Sequence, residues 1–318
     1  MSISQEQANW FEQTFDALVG NVSKVLIGKR RTVELAFTAL ISEGHLLLED
    51  VPGTGKTSLA RALGSTMKGT NSRIQFTPDL LPGDVTGITV YDQKQGEFVF
   101  HAGPIFANVV LADEINRASP KTQSALLEVM EEGQVTVDGE TRHVAKPFLV
   151  VATQNPIEQA GTYRLPEAQL DRFMVKTSLG YPDHAATVSI LESTAAAKPI
   201  VEPVISPKQV TAMIEMAREV HVEPTILDYV SRIIEATRTA KEVRLGSSVR
   251  GAMALLRGAK VWALSKGRTY VTPDDIKSLA EPVLAHRLVL DPEAEFDGVT
   301  SQAVIGQIML EIEPPKEK

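Results

Sequence analysis

Leu46-Leu-Leu-Glu-Asp-Val-Pro-Gly-Thr-Gly-Lys-Thr-Ser58 is the stretch from which the fold can be read. An apolar run predicts a buried strand, a Pro-Gly-Thr-Gly turn follows, and Leu59, Ala60, Leu63 and Met67 then recur at helical spacing. Strand, glycine turn and helix in that order make a phosphate-binding loop. Exposed backbone N–H groups cradle phosphates, and the positive end of the following helix adds to the field. Pro52, Gly53, Thr54, Gly55 and Ser58 would line the cradle, Lys56 would reach the outer phosphates, and Thr57 would ligate Mg²⁺. The expected ligand is a nucleoside triphosphate. An ordinary Gly-Pro turn is the alternative, and Lys56 and Thr57 in register count against it.

Counting back from Gly55 puts Asp50 where the pattern G-x-x-x-x-G-K-[ST] has its first glycine. Asp tolerates a left-handed backbone better than most residues, so the turn can survive. Its carboxylate would repel phosphates, so the side chain is expected to point away.

The chain has 318 residues, 43% hydrophobic and 23% charged, which suits a folded protein of two domains or one large one. A net charge of −8 with both signs interleaved argues against a surface built to hold nucleic acid. Cysteine is absent, which excludes disulfides and thiolate metal sites. No apolar run approaches the ~18 residues that span a bilayer. Met1–Asn9 has neither a basic nor a hydrophobic region, so no secretory signal is visible and a cytoplasmic location is expected.

Strand-like runs recur at Leu46–Glu49, Arg73–Phe76, Val109–Ala112, Phe148–Thr153 and Met174–Leu179, each followed by a loop and a helical pattern. That alternation predicts an α/β domain with a parallel sheet covered on both faces. An amphipathic helix bearing Phe11, Phe15, Leu18 and Val22 precedes it. Two segments break the rhythm and read as inserted β-hairpins: Ile88–Phe100 and Gln134–Val144, the second around Asp138-Gly139. After about residue 182 strand signals vanish, so the expected division is an α/β domain over 1–182 and a smaller all-helical domain over 183–318. Ala195–Pro207 reads as a loop, and Glu311–Lys318 as a frayed tail. Ser206-Pro207-Lys208-Gln209 and Thr272-Pro273-Asp274-Asp275 predict helix starts with capping boxes. The first helix is expected to bury Val210, Met213, Ile214 and Ala217, and the second Ile276, Leu279, Ala280 and Val283. Between them a longer helix is expected to turn Ala252, Leu255, Leu256, Ala259, Trp262 and Ala263 to one side.

Other polar residues converge on the same chemistry. Val109–Ala112 delivers Asp113 and Glu114 to the carboxyl end of a buried strand, where open α/β sheets bind ligands. Asp113 would hold Mg²⁺ and Glu114 would polarise an attacking water. Asn155, after the Phe148–Thr153 strand, could orient that water or sense the γ-phosphate; a turn residue before Pro156 is the bland alternative. Arg172 could be a finger inserted into a neighbouring subunit's nucleotide, or a surface ion-pair partner. Arg250, opening the long helix of the second domain, could reach across to the γ-phosphate, or lie solvated.

With these pieces in order, the chain resembles the AAA+ ATPases, and within them the MoxR family, over about residues 20–310. The cues include Glu49-Asp-Val-Pro-Gly53, Gln75–Gly87, Gly103–Asn108, Leu111–Ala118, Ala152–Pro156 and Leu165–Phe173. The resemblance implies Lys56 and Thr57 in Walker A, Asp113 and Glu114 in Walker B, Asn155 as sensor 1, Arg172 as arginine finger and Arg250 as sensor 2. Ile27-Gly28 matches the family's adenine-side contact, and the hairpins look like its helix-2 and presensor-1 inserts. The family further implies ATP with Mg²⁺, a hexameric ring, and rotation of the helical domain on hydrolysis. It implies a protein client, often one carrying a von Willebrand factor A domain.

A nucleic-acid motor is the main rival. It would need positive hairpins, and Lys94 faces Asp92 and Glu97, while Arg142 and His143 face Asp138 and Glu140. The motor subunit of a metal chelatase and a nucleotide-gated scaffold without turnover are the others. No Asn-Lys-x-Asp motif points to guanine.

Overall fold

The computed structural model describes residues 3–51, 53–94, 96–156, 162–163, 165–194 and 200–315. Five parallel strands form one sheet in the order Asn71–Gln75, Val109–Asp113, Leu149–Gln154, Leu46–Glu49 and Val175–Thr177. Each coincides with a predicted strand, with ends moved by one or two residues. Successive residues serve opposite faces: Leu46, Leu48, Val109, Leu111, Leu149 and Val151 join one apolar cluster, while Leu47, Val110, Ala112, Val150 and Ala152 join another. Helices cover both faces, which is why these strands read as unbroken apolar runs.

The first helix, Gln5–Ser23, is capped by a Ser4/Gln7 box and buries Phe11, Phe15, Leu18 and Val22 as predicted. Phe11 stacks on Phe15, and Phe15 meets Phe37 edge-on at 6.4 Å. Truncating such a ring to Ala costs about 3–5 kcal/mol. Arg30–Ile41 is a helix that the sequence patterning leaves out. Nearly every residue from Leu35 to Ile41 is buried, so it shows no one-sided stripe.

The two hairpins form, pairing Gly87–Asp92 with Glu97–Ala102 and Gln134–Val137 with Glu140–His143. Asp138 and Gly139 both have positive φ (52° and 80°), the requirement of a two-residue turn that matches strand twist.

Beyond residue 182, the main helices are Pro207–Arg218, Pro224–Thr239, Val249–Leu264, Pro273–Leu284 and Ser301–Glu311. Both predicted capping boxes are present, at Ser206/Gln209 and Thr272/Asp275, and the predicted inward residues of those two helices are buried. Three expectations need correction. The region is not wholly helical, because Val243–Leu245 pairs antiparallel with Val289–Leu290, segments too short to display a period of two. The long helix turns Ala254, Leu255, Gly258, Ala259 and Trp262 inward, leaving Ala252 and Leu256 half-buried on its flank. Alanines on both sides of that helix blur its stripe. The last helix runs through Glu311, with Ile308 buried, so fraying does not begin there. Of the predicted loop Ala195–Pro207, residues 195–199 lie outside the described residues, and Pro207 already belongs to a helix.

One apolar cluster runs from the N-terminal helices across a sheet face into the helical region, taking in Phe37, Met174, Met213, Tyr229, Leu255 and Leu279. Both parts of the chain therefore share a core.

Candidate functional site

The strand Leu46–Glu49 ends at Asp50, and the helix Lys56–Thr66 starts six residues later from Gly55. Gly53 and Gly55 have φ of +85° and +99°, backbone that a Cβ would strain, so this turn needs glycine at both places. Pro52 lies outside the described residues. Asp50 is buried, and its carboxylate turns away from the loop to accept the N–H groups of Leu179 (2.5 Å) and Gly180 (2.8 Å). The expectation that it points away holds. Its backbone is not left-handed, however, so tolerance of that conformation is not what preserves the turn. Lys56 Nζ donates to the Asp50 carbonyl at 3.1 Å, and Thr57 and Ser58 are exposed on the first helical turn.

A cavity of ≈ 540 Å³ opens beside Gly53, Thr54, Gly55, Thr57 and Ser58. Ile27, Pro182, Ile190 and Val201 supply its apolar wall, while Lys24, Lys29 and Arg61 supply positive charge. Among the described residues no Asp or Glu lines it, so the cavity suits a polyanion carrying a flat apolar group. Ile27 sits in the wall. Gly28 does not line the cavity; its φ of +75° turns the chain, and a Cβ there would stand 3.1 Å from Ala186. Lys29, Arg61 and Pro182 belong to no motif, and nothing local in the sequence marks them.

The carboxyl edge of the sheet carries the remaining polar groups. Strand order places Leu149–Gln154 between the strands ending at Glu49 and Asp113, so Asn155 leaves the sheet between them and is half-buried. Asp113 is buried and accepts from the Thr153 hydroxyl at 2.7 Å and from Arg73 at 2.7 Å. Thr153 in turn accepts the Glu114 N–H at 2.9 Å, so one fully buried hydroxyl sets both acids. Glu114 has φ +57°, a left-handed backbone costing a non-glycine residue about 1 kcal/mol or more. Its carboxylate accepts from Gln75 and Arg117, each at 2.9 Å. Asp113 and the Thr57 hydroxyl are hard oxygen donors, few enough to leave a small divalent cation room for phosphate and water, so they fit Mg²⁺. Gln75 and Thr153 fall inside stretches that carry the family resemblance, while Arg73 belongs to no motif.

Arg172 and Arg250 do not line the phosphate-loop cavity. Both line a separate cavity of ≈ 530 Å³, whose lining shares no residue with the first. There Arg172 Nε lies 3.2 Å from Glu131, Arg250 pairs with the same carboxylate, and Arg250 Nε lies 4.0 Å from Asp171. Helix Val249–Leu264 brings Arg250 beside Arg172, and the two share the Glu131 carboxylate.

Family comparisons match residues 45–175 to the "ATPase family associated with various cellular activities (AAA)" and residues 235–308 to the "AAA lid domain". The chain is 48% identical to the uncharacterized protein YeaC of Bacillus subtilis, covering 94% of each. It is 39% identical to Chaperone MoxR1 of Mycobacterium tuberculosis, over 95% of this chain and 83% of that one. Identity to Protein MoxR of Paracoccus denitrificans is 30%, over 91% and 92%. A crystal structure of a Cytophaga hutchinsonii protein superposes with a TM-score of 0.92 at 38% identity, covering 98% of each chain.

Proposed function

The chain belongs to the MoxR family of AAA+ ATPases, and from that premise we propose that it is a Mg²⁺-dependent ATP hydrolase. In this reading it works as a ring, a hexamer, with nucleotide held between subunits. The observation that carries this is the separation of the two half-sites. The phosphate loop, Asp113 and Glu114 lie at one cavity and sheet edge, while Arg172 and Arg250 wait together in another cavity. A second copy bringing that arginine pair to the first copy's phosphates would complete a catalytic site that one chain lacks.

In this reading Lys56 and the loop N–H groups bind the phosphates, and Ile27 packs against the base. Thr57 and Asp113 would hold Mg²⁺, which when bound would supply positive charge to the phosphate oxygens. Glu114 takes the proton of an attacking water that Asn155 helps to orient. Before that, Glu114 must leave Gln75 and Arg117, and Asp113 must share or give up Arg73. Both acids are thus held off by local partners until nucleotide enters.

We assign the chain a chaperone-like role on protein clients, those with a von Willebrand factor A domain included. Support for the chaperone-like role comes from the similarity to Chaperone MoxR1 of M. tuberculosis and from the first hairpin. That hairpin exposes Ile88, Val90, Tyr91 and Phe98, with Tyr91 and Phe98 edge-to-face at 5.3 Å. Such a surface suits polypeptide side chains better than phosphates. On the second hairpin, Arg142 is occupied, stacked over Phe100 at 4.0 Å. A cytoplasmic location and a domain boundary near residue 182 belong to the same proposal. Among the described residues no helix is long and apolar enough to cross a membrane.

Mixing two inactive variants tests the shared site. Lys56→Ala loses nucleotide binding but keeps its arginines; Arg172→Ala keeps binding but lacks the finger, which is worth ~10³–10⁵ in rate. Each should be inactive alone, and their mixture should regain turnover at interfaces that join an intact loop to an intact finger. An inactive mixture, with both variants assembled, refutes catalysis between subunits.

A further inference from the structure

Arg287 is the one buried arginine among the described residues, at 7% exposure. It closes the short helical turn Ala285–Arg287 after helix Pro273–Leu284, in the helical region. Its five N–H groups are all used. Nε donates to the Asp171 carboxylate at 2.8 Å. One terminal nitrogen donates to the carbonyls of Asp171 (3.1 Å) and Phe173 (2.9 Å). The other has the carbonyls of Met174 (3.3 Å) and Val283 and the His286 Nε2 (2.9 Å) within reach. Four of these six contacts end on residues 171, 173 and 174, which flank Arg172 on both sides. Burial draws the Arg287 pKa down to about 10, with Asp171 opposing, so the group stays charged at neutral pH.

A buried guanidinium is weak evidence for stability, because apolar packing could hold a helix end at least as well. Its fork does something a methionine could not: it fixes the direction of three carbonyls along one short segment. The neighbouring contacts tie the same segment again. His286 Nε2 lies 2.9 Å from the Phe173 carbonyl, and burial beside Arg287 holds this imidazole neutral. Ser248, one residue before the long helix, donates to the other Asp171 oxygen at 3.2 Å.

We propose that Arg287 is a positioning residue for the arginine finger: it orients the backbone that bears Arg172 and binds that orientation to the helical domain. The proposal rests on Arg172 acting as the finger. A finger must meet the neighbour's γ-phosphate within a few tenths of an ångström, and a misplacement of 1 Å costs on the order of 10² in rate. Arg287 acts through that backbone, its N–H groups being spent on protein acceptors.

The test uses the assembled full-length chain, with ATP turnover, binding of a fluorescent ADP analogue, sedimentation and urea unfolding. Arg287→Met should assemble and bind the analogue with Kd within twofold of wild type, keep KM for ATP, and lose about 10²-fold in kcat. Arg287→Lys keeps the charge but not the fork, and should remain nearly as slow. The double variant Arg172→Ala/Arg287→Met should be no slower than Arg172→Ala, since there is no finger left to misplace. A folded, assembled Arg287→Met at wild-type kcat overturns the proposal, as does a loss that multiplies with that of Arg172→Ala. If Arg287→Met fails to fold, the lysine variant carries the test: full kcat overturns the proposal, while a slow rate with unchanged KM supports it. Wild-type turnover in Arg172→Ala would sink the finger reading itself. A slow Arg172→Ala beside a fast Arg287→Met sinks only the positioning role.

Discussion

Asp50 offers a prediction in which motif and structure disagree on sign. The motif would have glycine there, so Asp50→Gly should improve the phosphate loop. The structure says the opposite. Asp50 is 4% exposed, and its carboxylate accepts two backbone N–H groups, from Leu179 and Gly180. Hydrogen bonds to a charged group contribute roughly 1.5–3 kcal/mol each, so the pair is worth about 3–4 kcal/mol taken conservatively. Added glycine freedom in the unfolded chain brings the expected loss in Asp50→Gly to about 4 kcal/mol. The damage should reach the nucleotide cavity, because Lys29 Nζ bonds the Tyr181 carbonyl at 2.8 Å and Pro182 lines the wall. If a third of the loss, about 1.4 kcal/mol, falls on ordering that wall, nucleotide binding weakens about tenfold. Urea unfolding and titration with a fluorescent ADP analogue read both numbers. Asp50→Asn, which keeps an acceptor, should lose about half as much. An Asp50→Gly protein within about 1 kcal/mol of wild type that binds nucleotide more tightly would refute the reasoning.

Two further outcomes are expected. His45 is buried, its Nδ1 accepting from Val150 N–H and its Nε2 facing the Met130 carbonyl, each at 3.0 Å, and burial pushes its pKa down to about 4. The unfolded chain takes up a proton near pH 6.5 that the folded chain refuses until about pH 4. Its stabilising contribution is therefore whole above pH 6.5 and lost as pH falls through that window. Between pH 7.5 and pH 5, wild type should lose about 2 kcal/mol more than His45→Gln by urea unfolding, and parallel curves would contradict this. Arg268 grips Asp275 with two bonds, 2.6 and 2.8 Å, while Asp275 is 2% exposed and caps helix Pro273–Leu284. Arg268→Ala should cost about 2–3 kcal/mol, discounted because the guanidinium is itself partly exposed, and Arg268→Lys should recover less than half. Equal stability of all three proteins would remove the pair from the account.

What could be read from the chain was local. Strand, turn and helix at Leu46–Ser58, and the strand delivering Asp113 and Glu114, each fit within a few neighbouring residues, so composition and spacing were enough. Arg172 and Arg250 were legible as candidates but their meeting was not, because it depends on how helix Val249–Leu264 packs far along the chain. Arg287 carried no signal. Ala285-His286-Arg287 matches no motif, and its role exists only through carbonyls that any sequence would offer. Asp50 looked like a defect because its partners, Leu179 and Gly180, are distant and contribute only backbone. The short strand pair Val243–Leu245 and Val289–Leu290 escaped because neither segment is long enough to show a period of two.

The shared core bears on where motion can occur. The family resemblance implies a helical domain that rotates against its own α/β domain. Here that rotation would pull Met213, Leu255 and Leu279, on helices that pack against Arg30–Ile41 or Val175–Thr177, away from a cluster they share with Phe37 and Met174. Exposing five such side chains costs on the order of 10 kcal/mol, comparable to the whole stability of a typical domain. It would also strip a buried guanidinium from Asp171 and three carbonyls. The contacts that can change cheaply lie elsewhere. Gln75 and Arg117 on Glu114, and Glu131 on Arg172 and Arg250, are ion pairs or polar contacts at half-exposed side chains, each worth under ~1 kcal/mol. Nucleotide arriving between two copies would exchange those weak pairs for stronger ones to phosphate. Each chain's helical domain, finger and sheet would then move together as one body against the next chain.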